Sequence, residues 1–72
     1  MTILGKYLEK KSINKASVSR ITGITTSRLS RLSNDSTSKL TAKELYLLSQ
    51  ALEVKPENLL IKLYPNTKLQ NL

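Results

Sequence analysis

The sequence predicts an all-α domain of five short helices, and three observations carry that prediction. Apolar residues recur at i, i+3, i+4 spacing from end to end, whereas the period-2 alternation of strands is sustained nowhere. Capping residues stand ahead of the apolar runs, at Asn14, Thr25 and Thr41. Chain breakers, Gly23, Pro56 and Pro65, fall between or at the ends of the runs. With 72 residues there is room for one domain, assigned to residues 1–65, followed by a short, loosely ordered tail at 66–72.

The first helix is expected from about Ile3 to Lys11, with Leu4, Tyr7 and Leu8 inward and Lys6, Glu9 and Lys10 outward. Asn14 caps a second helix, Lys15 to Thr22, in which Val18 and Ile21 are expected to be buried and Arg20 outside. Gly23 ends it, because a helix C-terminus often needs a left-handed residue. Ile24 follows as an apolar plug. Thr25 then opens a third helix reaching about Ser33, with Leu29 and Leu32 in the core, and Ser33 to Lys39 reads as a polar loop. Thr41-Ala42-Lys43-Glu44 is a capping-box pattern for a fourth helix, about Ala42 to Leu52. Pro56 suits the first position of a fifth helix and Glu57 its positive end, although Lys55 is a poor cap; Pro65 stops it near Tyr64.

The chain carries 12 Lys/Arg against five Asp/Glu, a net charge of +7. That charge is concentrated. Residues 1–40 hold eight basic and two acidic side chains, and from Lys10 to Asn34 there are six basic side chains and no acidic one. Clustered basicity favours a face that meets a polyanion, with diffuse surface charge as the competing explanation. There is no Cys and no His, so disulfides, a zinc site, a thiol nucleophile and the usual general base are excluded. The carboxylates Glu9, Asp35, Glu44, Glu53 and Glu57 fall on exposed faces, caps or loops, and no Gly-rich phosphate loop exists. No enzymatic activity, cofactor or metal is expected. No apolar run approaches the roughly 20 residues of a membrane span, and no signal-peptide pattern begins the chain, so a cytoplasmic location is expected.

Only Gly23, Ile24 and Thr25 separate the second and third helices, which can pack together only if they cross steeply with little bulk between them. Ser19 permits the approach, and Ile24 and Leu29 fill the wedge. This is helix-turn-helix spacing, with the second helix of the pair positioned to enter a DNA major groove. From about Leu4 through Leu63 the chain resembles the phage-repressor and Cro-type (XRE-like) helix-turn-helix family. The resemblance is carried by Asn14-Lys15, Val18-Ser19, Gly23-Ile24-Thr25, Leu29-Ser30-Arg31-Leu32, Thr41 to Leu52, and Val54 to Leu60. It implies a compact five-helix, lambda-repressor-like DNA-binding domain. Lys15 stands where glutamine is common, Ser12 and Asp35 where glycines are common, and Ser33 in place of a frequent glutamate.

On a helical wheel centred on Leu29 and Leu32, Ser27, Ser30, Arg31 and Asn34 point away, with Thr26 at the N-terminal end. Of these only Arg31 can make the bidentate contact to guanine that discriminates bases by about 1–3 kcal/mol. The resemblance implies base reading by Thr26, Ser27 and Arg31, with Ser30 and Arg28 at the margins; a solvated polar face is the alternative. Free amides at a helix start attract phosphate, which suits Asn14 and Lys15. Phosphate contacts are further expected from Thr25, Arg28, and the loop residues Asn34, Ser36 and Lys39, with Ser38 beside them. Helix termination by Asn34 and a solvated Lys39 remain alternatives. Lys6, Lys10 and Lys11 read as a solubilising face.

Leu59, Leu60, Ile61, Leu63 and Tyr64 span more than the roughly 100° stripe that one core needs. The surplus edge, Leu60, Ile61 and Tyr64, is the expected homodimer contact, unless Leu69 or other tail residues fold back over it. The leading functional expectation is sequence-specific binding of double-stranded DNA by a small, repressor-type transcriptional regulator. A protein-interaction module with an antitoxin-like partner is the alternative, and RNA binding is disfavoured by having three Tyr and no Phe or Trp.

Overall fold

Four of the five helices begin where a side chain takes up amides of the first turn. A computed structural model describes residues 1–70. Its elements are α1 (Ile3–Lys10), α2 (Lys15–Thr22), α3 (Thr26–Asn34), α4 (Ala42–Ala51) and α5 (Pro56–Leu63), with no strand among the described residues. Asn14 Oδ1 accepts from the amides of Ala16 and Ser17 at 2.9 and 3.3 Å. Thr25 Oγ1 accepts from the Arg28 amide at 3.1 Å. Thr41 and Glu44 form the reciprocal capping box. Lys55 makes no side-chain cap, and Pro56 occupies the first turn of α5 instead.

The remaining cap lies at Thr2 and was not anticipated from the sequence. Its Oγ1 accepts from the Gly5 amide at 3.0 Å and donates toward the carbonyls of Leu32 and Ser33, at 2.7 and 2.9 Å. The Thr2 amide also donates to the Ser33 carbonyl at 2.8 Å. One residue thus starts α1 and ties it to the end of α3. The contact is tight enough that a Cβ on Gly5 would press on the Ser33 carbonyl oxygen and lie 3.0 Å from its carbon.

α1 packs on α3, α2 contacts both α3 and α4, and α4 packs on α5. The core joins Leu4 and Leu8, Val18, Ile24, Leu29 and Leu32, Leu48, and Leu59 and Leu63, so every helix contributes at least one fully inward side chain. Burying nine such aliphatic side chains supplies the main driving force in a chain without disulfides or metal.

Two expectations are corrected. Ile21 is 67% exposed. The inward direction of α2 is set by Val18, Ser19 and Thr22, and Ile21 lies about 100° away from its centre. Thr22 takes the inward place because its hydroxyl satisfies itself locally, donating to the Val18 carbonyl at 2.7 Å and accepting from the Ile24 amide at 3.1 Å. Ser33, expected to begin a polar loop, is buried within α3, its hydroxyl donating to the Leu29 carbonyl at 2.7 Å. Its small side chain and internal bond make burial possible beside Thr2.

Backbone geometry bears on two of the departures from the family pattern. Ser12 has φ +55, a left-handed value, so glycine's usual place there has a conformational reason. Asp35 is extended, with φ −107, and needs no glycine. Of the tail, residues 71 and 72 lie outside the described residues.

Candidate nucleic-acid interface

The turn between α2 and α3 is set by Gly23, whose φ of +80 and ψ of 0 place it in the left-handed region. Its amide donates to the Ser19 carbonyl at 2.8 Å, closing α2 before the chain reverses. Nothing lies within 4 Å of where its Cβ would be, so the requirement is conformational rather than steric. Ile24 is buried under the turn, and Leu29 and Leu32 fix the rotation of α3.

That rotation leaves Thr26, Ser27, Ser30, Arg31 and Asn34 together on the exposed side of α3. The wheel is therefore reproduced for each of them. Of the candidate phosphate residues, Asn14 and Thr25 are exposed at the starts of α2 and α3, and each already uses its side-chain oxygen as a cap. Lys15 is half-buried in the first turn of α2. Asn34 Nδ2 donates to the Ser30 carbonyl at 3.0 Å, so its amide is anchored along α3. Lys39 and Ser36 are exposed on the α3–α4 loop, and Ser36 also lines a cleft of about 380 Å³ with Ser38, Leu63 and Tyr64. Asp35 shapes this loop by accepting from the Thr37 amide at 2.9 Å and the Thr37 hydroxyl at 2.6 Å. Those bonds stabilise its charged form and lower its pKa.

Arg28 is placed differently from the other candidates. Its Nε and Nη2 donate to the two oxygens of Glu44 at 2.8 and 3.0 Å, and Nη2 also donates to the Lys39 carbonyl at 2.8 Å. Sequence reading assigned Glu44 only its capping role. The Arg28 hydrogen bonds, joined by that from the Thr41 amide and opposed by partial burial, hold the Glu44 carboxyl down at about 2. Lys43, on the first turn of α4, shares a cleft with Thr25 and Arg28 beside the turn and was not singled out from sequence. Its only signal there was its place in the capping box. Lys11 sits with Nζ 5.5 Å from the centre of the Tyr7 ring, engaged on α1 itself.

A polar, acid-free outer face on a helix held by a left-handed turn, with cations at its margins, is suited to a phosphate-lined groove. The family model of the Cro/C1-type helix-turn-helix DNA-binding domain matches residues 4–62, which includes all five helices except the first residue of α1 and the last of α5. The chain belongs to that family. In this Cro/C1-type domain α2 and α3 are the helix-turn-helix pair, and DNA is the partner that family membership supports. Comparison with curated proteins and with solved structures yields no match.

Two further features of this Cro/C1-type domain bear on its chemistry. Among the described residues, no group of three or more His, Cys, Asp or Glu is placed to hold a metal ion. No described helix is long and apolar enough to cross a membrane.

Proposed function

We propose that the chain binds double-stranded DNA in a sequence-specific manner and acts as a small transcriptional regulator of the repressor type, laying α3 in the major groove. The observation that carries this reading is the α3 face itself: Thr26, Ser27, Ser30 and Arg31 exposed together, opposite the buried Leu29 and Leu32. Arg31 supplies the strongest base discrimination and the three hydroxyls supply less selective contacts. Asn14, Lys15, Thr25, Asn34, Ser36 and Lys39 flank the face and orient the domain on the backbone. Each neutralised phosphate steepens the fall of log K against log salt by about 0.9.

Operator occupancy by a symmetric pair fits the surface of α5. Leu60, Ile61 and Tyr64 are 48%, 65% and 48% exposed, and Leu69 of the tail is itself 79% exposed, so Leu69 does not cover them. The reading calls for a homodimer through this edge whose two copies of α3 lie one DNA turn, about 34 Å, apart. The same exposed edge favours one second reading, a protein-interaction role with an antitoxin-like partner.

Selection of bound duplexes from a random pool at physiological salt tests the proposal. A near-palindromic motif is the expected outcome. Recovery of no motif, together with a stable protein partner in a pull-down, would instead favour the second reading. Sedimentation showing only monomer, with and without the selected duplex, would remove the dimer.

A further inference from the structure

Arg28 stands in the first turn of α3, yet its donors turn back into the protein. Its planar guanidinium meets three segments at once: α3, on which it stands; α4, through both oxygens of Glu44 at 2.8 and 3.0 Å; and the α3–α4 loop, through the Lys39 carbonyl at 2.8 Å. A carboxylate that engages two donors of a guanidinium fixes its orientation as well as its distance. Glu44 is itself held by the Thr41 amide at 2.9 Å, so the anchor belongs to the start of α4.

This contact joins the loop to α3, while Leu40 at the loop's end packs against the core. Asp35 bonds to Thr37, and the Ser38 amide bonds to the Asp35 carbonyl, all within the loop. Beyond the Asp35 amide, which continues α3 by donating to the Arg31 carbonyl, the Arg28 bond to Lys39 is the hydrogen bond that ties the loop to α3 among the described residues. A phosphate contact by Arg28 would require those donors to leave Glu44. It would also leave a bare carboxylate near the DNA backbone, where like charges repel.

We infer that Arg28 is a positioning residue of the DNA-binding surface rather than a phosphate contact: clamped by Glu44, it holds the α3–α4 loop in register with the reading helix. The inference rests on the reading of α3 as the recognition helix. Because the clamp acts through geometry, it contributes to the preference for one sequence over others. A phosphate contact contributes equally to all sequences.

The test uses the full chain, the duplex selected from a random pool, and a random-sequence duplex of the same length. Binding is followed by fluorescence anisotropy over a range of salt for wild type, Arg28→Gln, Arg28→Lys, Glu44→Gln and the double variant Arg28→Gln with Glu44→Gln. Solvent exchange of the Arg28 Nε proton is measured by NMR in the free protein. The clamp predicts slow exchange in wild type and fast exchange in Glu44→Gln. It predicts that Arg28→Gln lowers the ratio of selected to random affinity by about fivefold or more, within the usual range for linked sites, and that the double variant, which leaves no bare carboxylate, keeps the wild-type salt slope. Glu44→Gln lowers the ratio too, but by freeing Arg28 it steepens the slope on random DNA by about 0.9.

A uniform loss on both duplexes for the double variant, with the slope shallower by about 0.9, would make Arg28 a phosphate contact and overturn the inference. So would an Nε proton in wild type exchanging as fast as that of exposed Arg20. If Arg28→Gln does not fold, Arg28→Lys decides: it keeps the charge but lacks the fork, so the clamp requires a lowered ratio and a phosphate role a wild-type one. Slow Nε exchange in a wild-type chain with no sequence preference would instead remove the parent reading of DNA recognition.

Discussion

Neutralising Glu44 isolates one ionic contact whose effect on folding has a defined sign and pH window. In Glu44→Gln the side chain keeps its size, and the amide oxygen can still accept from the Thr41 amide, but the charge opposite Arg28 is lost. In the folded protein the Glu44 carboxyl is held at about 2, below its ordinary 4.5, chiefly by hydrogen bonds from Arg28. A lowered carboxyl pKa stabilises the fold fully above the unfolded value, and that stabilisation is lost as pH falls from about 4.5 through about 2. Direct conversion gives about 3 kcal/mol. The pair lies at the surface, with side-chain exposures of 27% for Arg28 and 15% for Glu44, and solvent screening reduces the expected contribution to about 1–2 kcal/mol. In a domain of this size that corresponds to a fall in Tm of about 5–15 °C at pH 7. Thermal unfolding followed by far-UV circular dichroism from pH 7 to pH 2 measures it. The difference between wild type and variant should be constant above pH 5 and should shrink toward pH 2. Asp35, whose pKa is also lowered, is present in both proteins and drops out of the difference. Equal stability at pH 7, or a difference that does not change with pH, would refute the reasoning.

Three further outcomes follow from particular contacts. Gly5→Ala should destabilise by about 1–3 kcal/mol in denaturant titration, because its methyl group would collide with the Ser33 carbonyl, which is backbone and cannot swing aside as the Met1 side chain beside it can. Gly23→Ala should cost about 1–2 kcal/mol through its left-handed backbone, with Gly23→Asn milder because Asn tolerates that region; equal losses would implicate sterics that the open space around Gly23 does not show. Ile61→Lys should leave the monomer's unfolding free energy within about 0.5 kcal/mol of wild type, since the side chain is exposed, while abolishing self-association in sedimentation.

Much of the fold was legible because its determinants are local. Asn14, Thr25 and the Thr41–Glu44 box mark three helix starts through bonds to amides two or three residues away, and Gly23 marks an end through its own φ. What stayed hidden depends on partners distant in sequence. The tie from Thr2 to Ser33 spans 31 residues and the pairing of Arg28 with Glu44 spans 16, and neither leaves a periodic trace. Ile21 was misplaced because an eight-residue helix with Val18 as its only fully buried side chain leaves its rotation under-determined, and a threonine with internal partners competed successfully for the inward place. The candidate reading face was legible for the opposite reason. Leu29 and Leu32 are both fully inward, and two such residues on one short helix fix where every other side chain points.

Binding of wild type and Arg31→Ala to the selected duplex and to all its single-base-pair variants tests most directly whether the outer face of α3 reads DNA. Base reading by Arg31 predicts that the variant loses about 1–3 kcal/mol on the selected site and becomes indifferent at one base pair per half-site, while discrimination elsewhere is retained. The same loss on every duplex, with discrimination intact at all positions, would reduce Arg31 to a general cation and contradict the account.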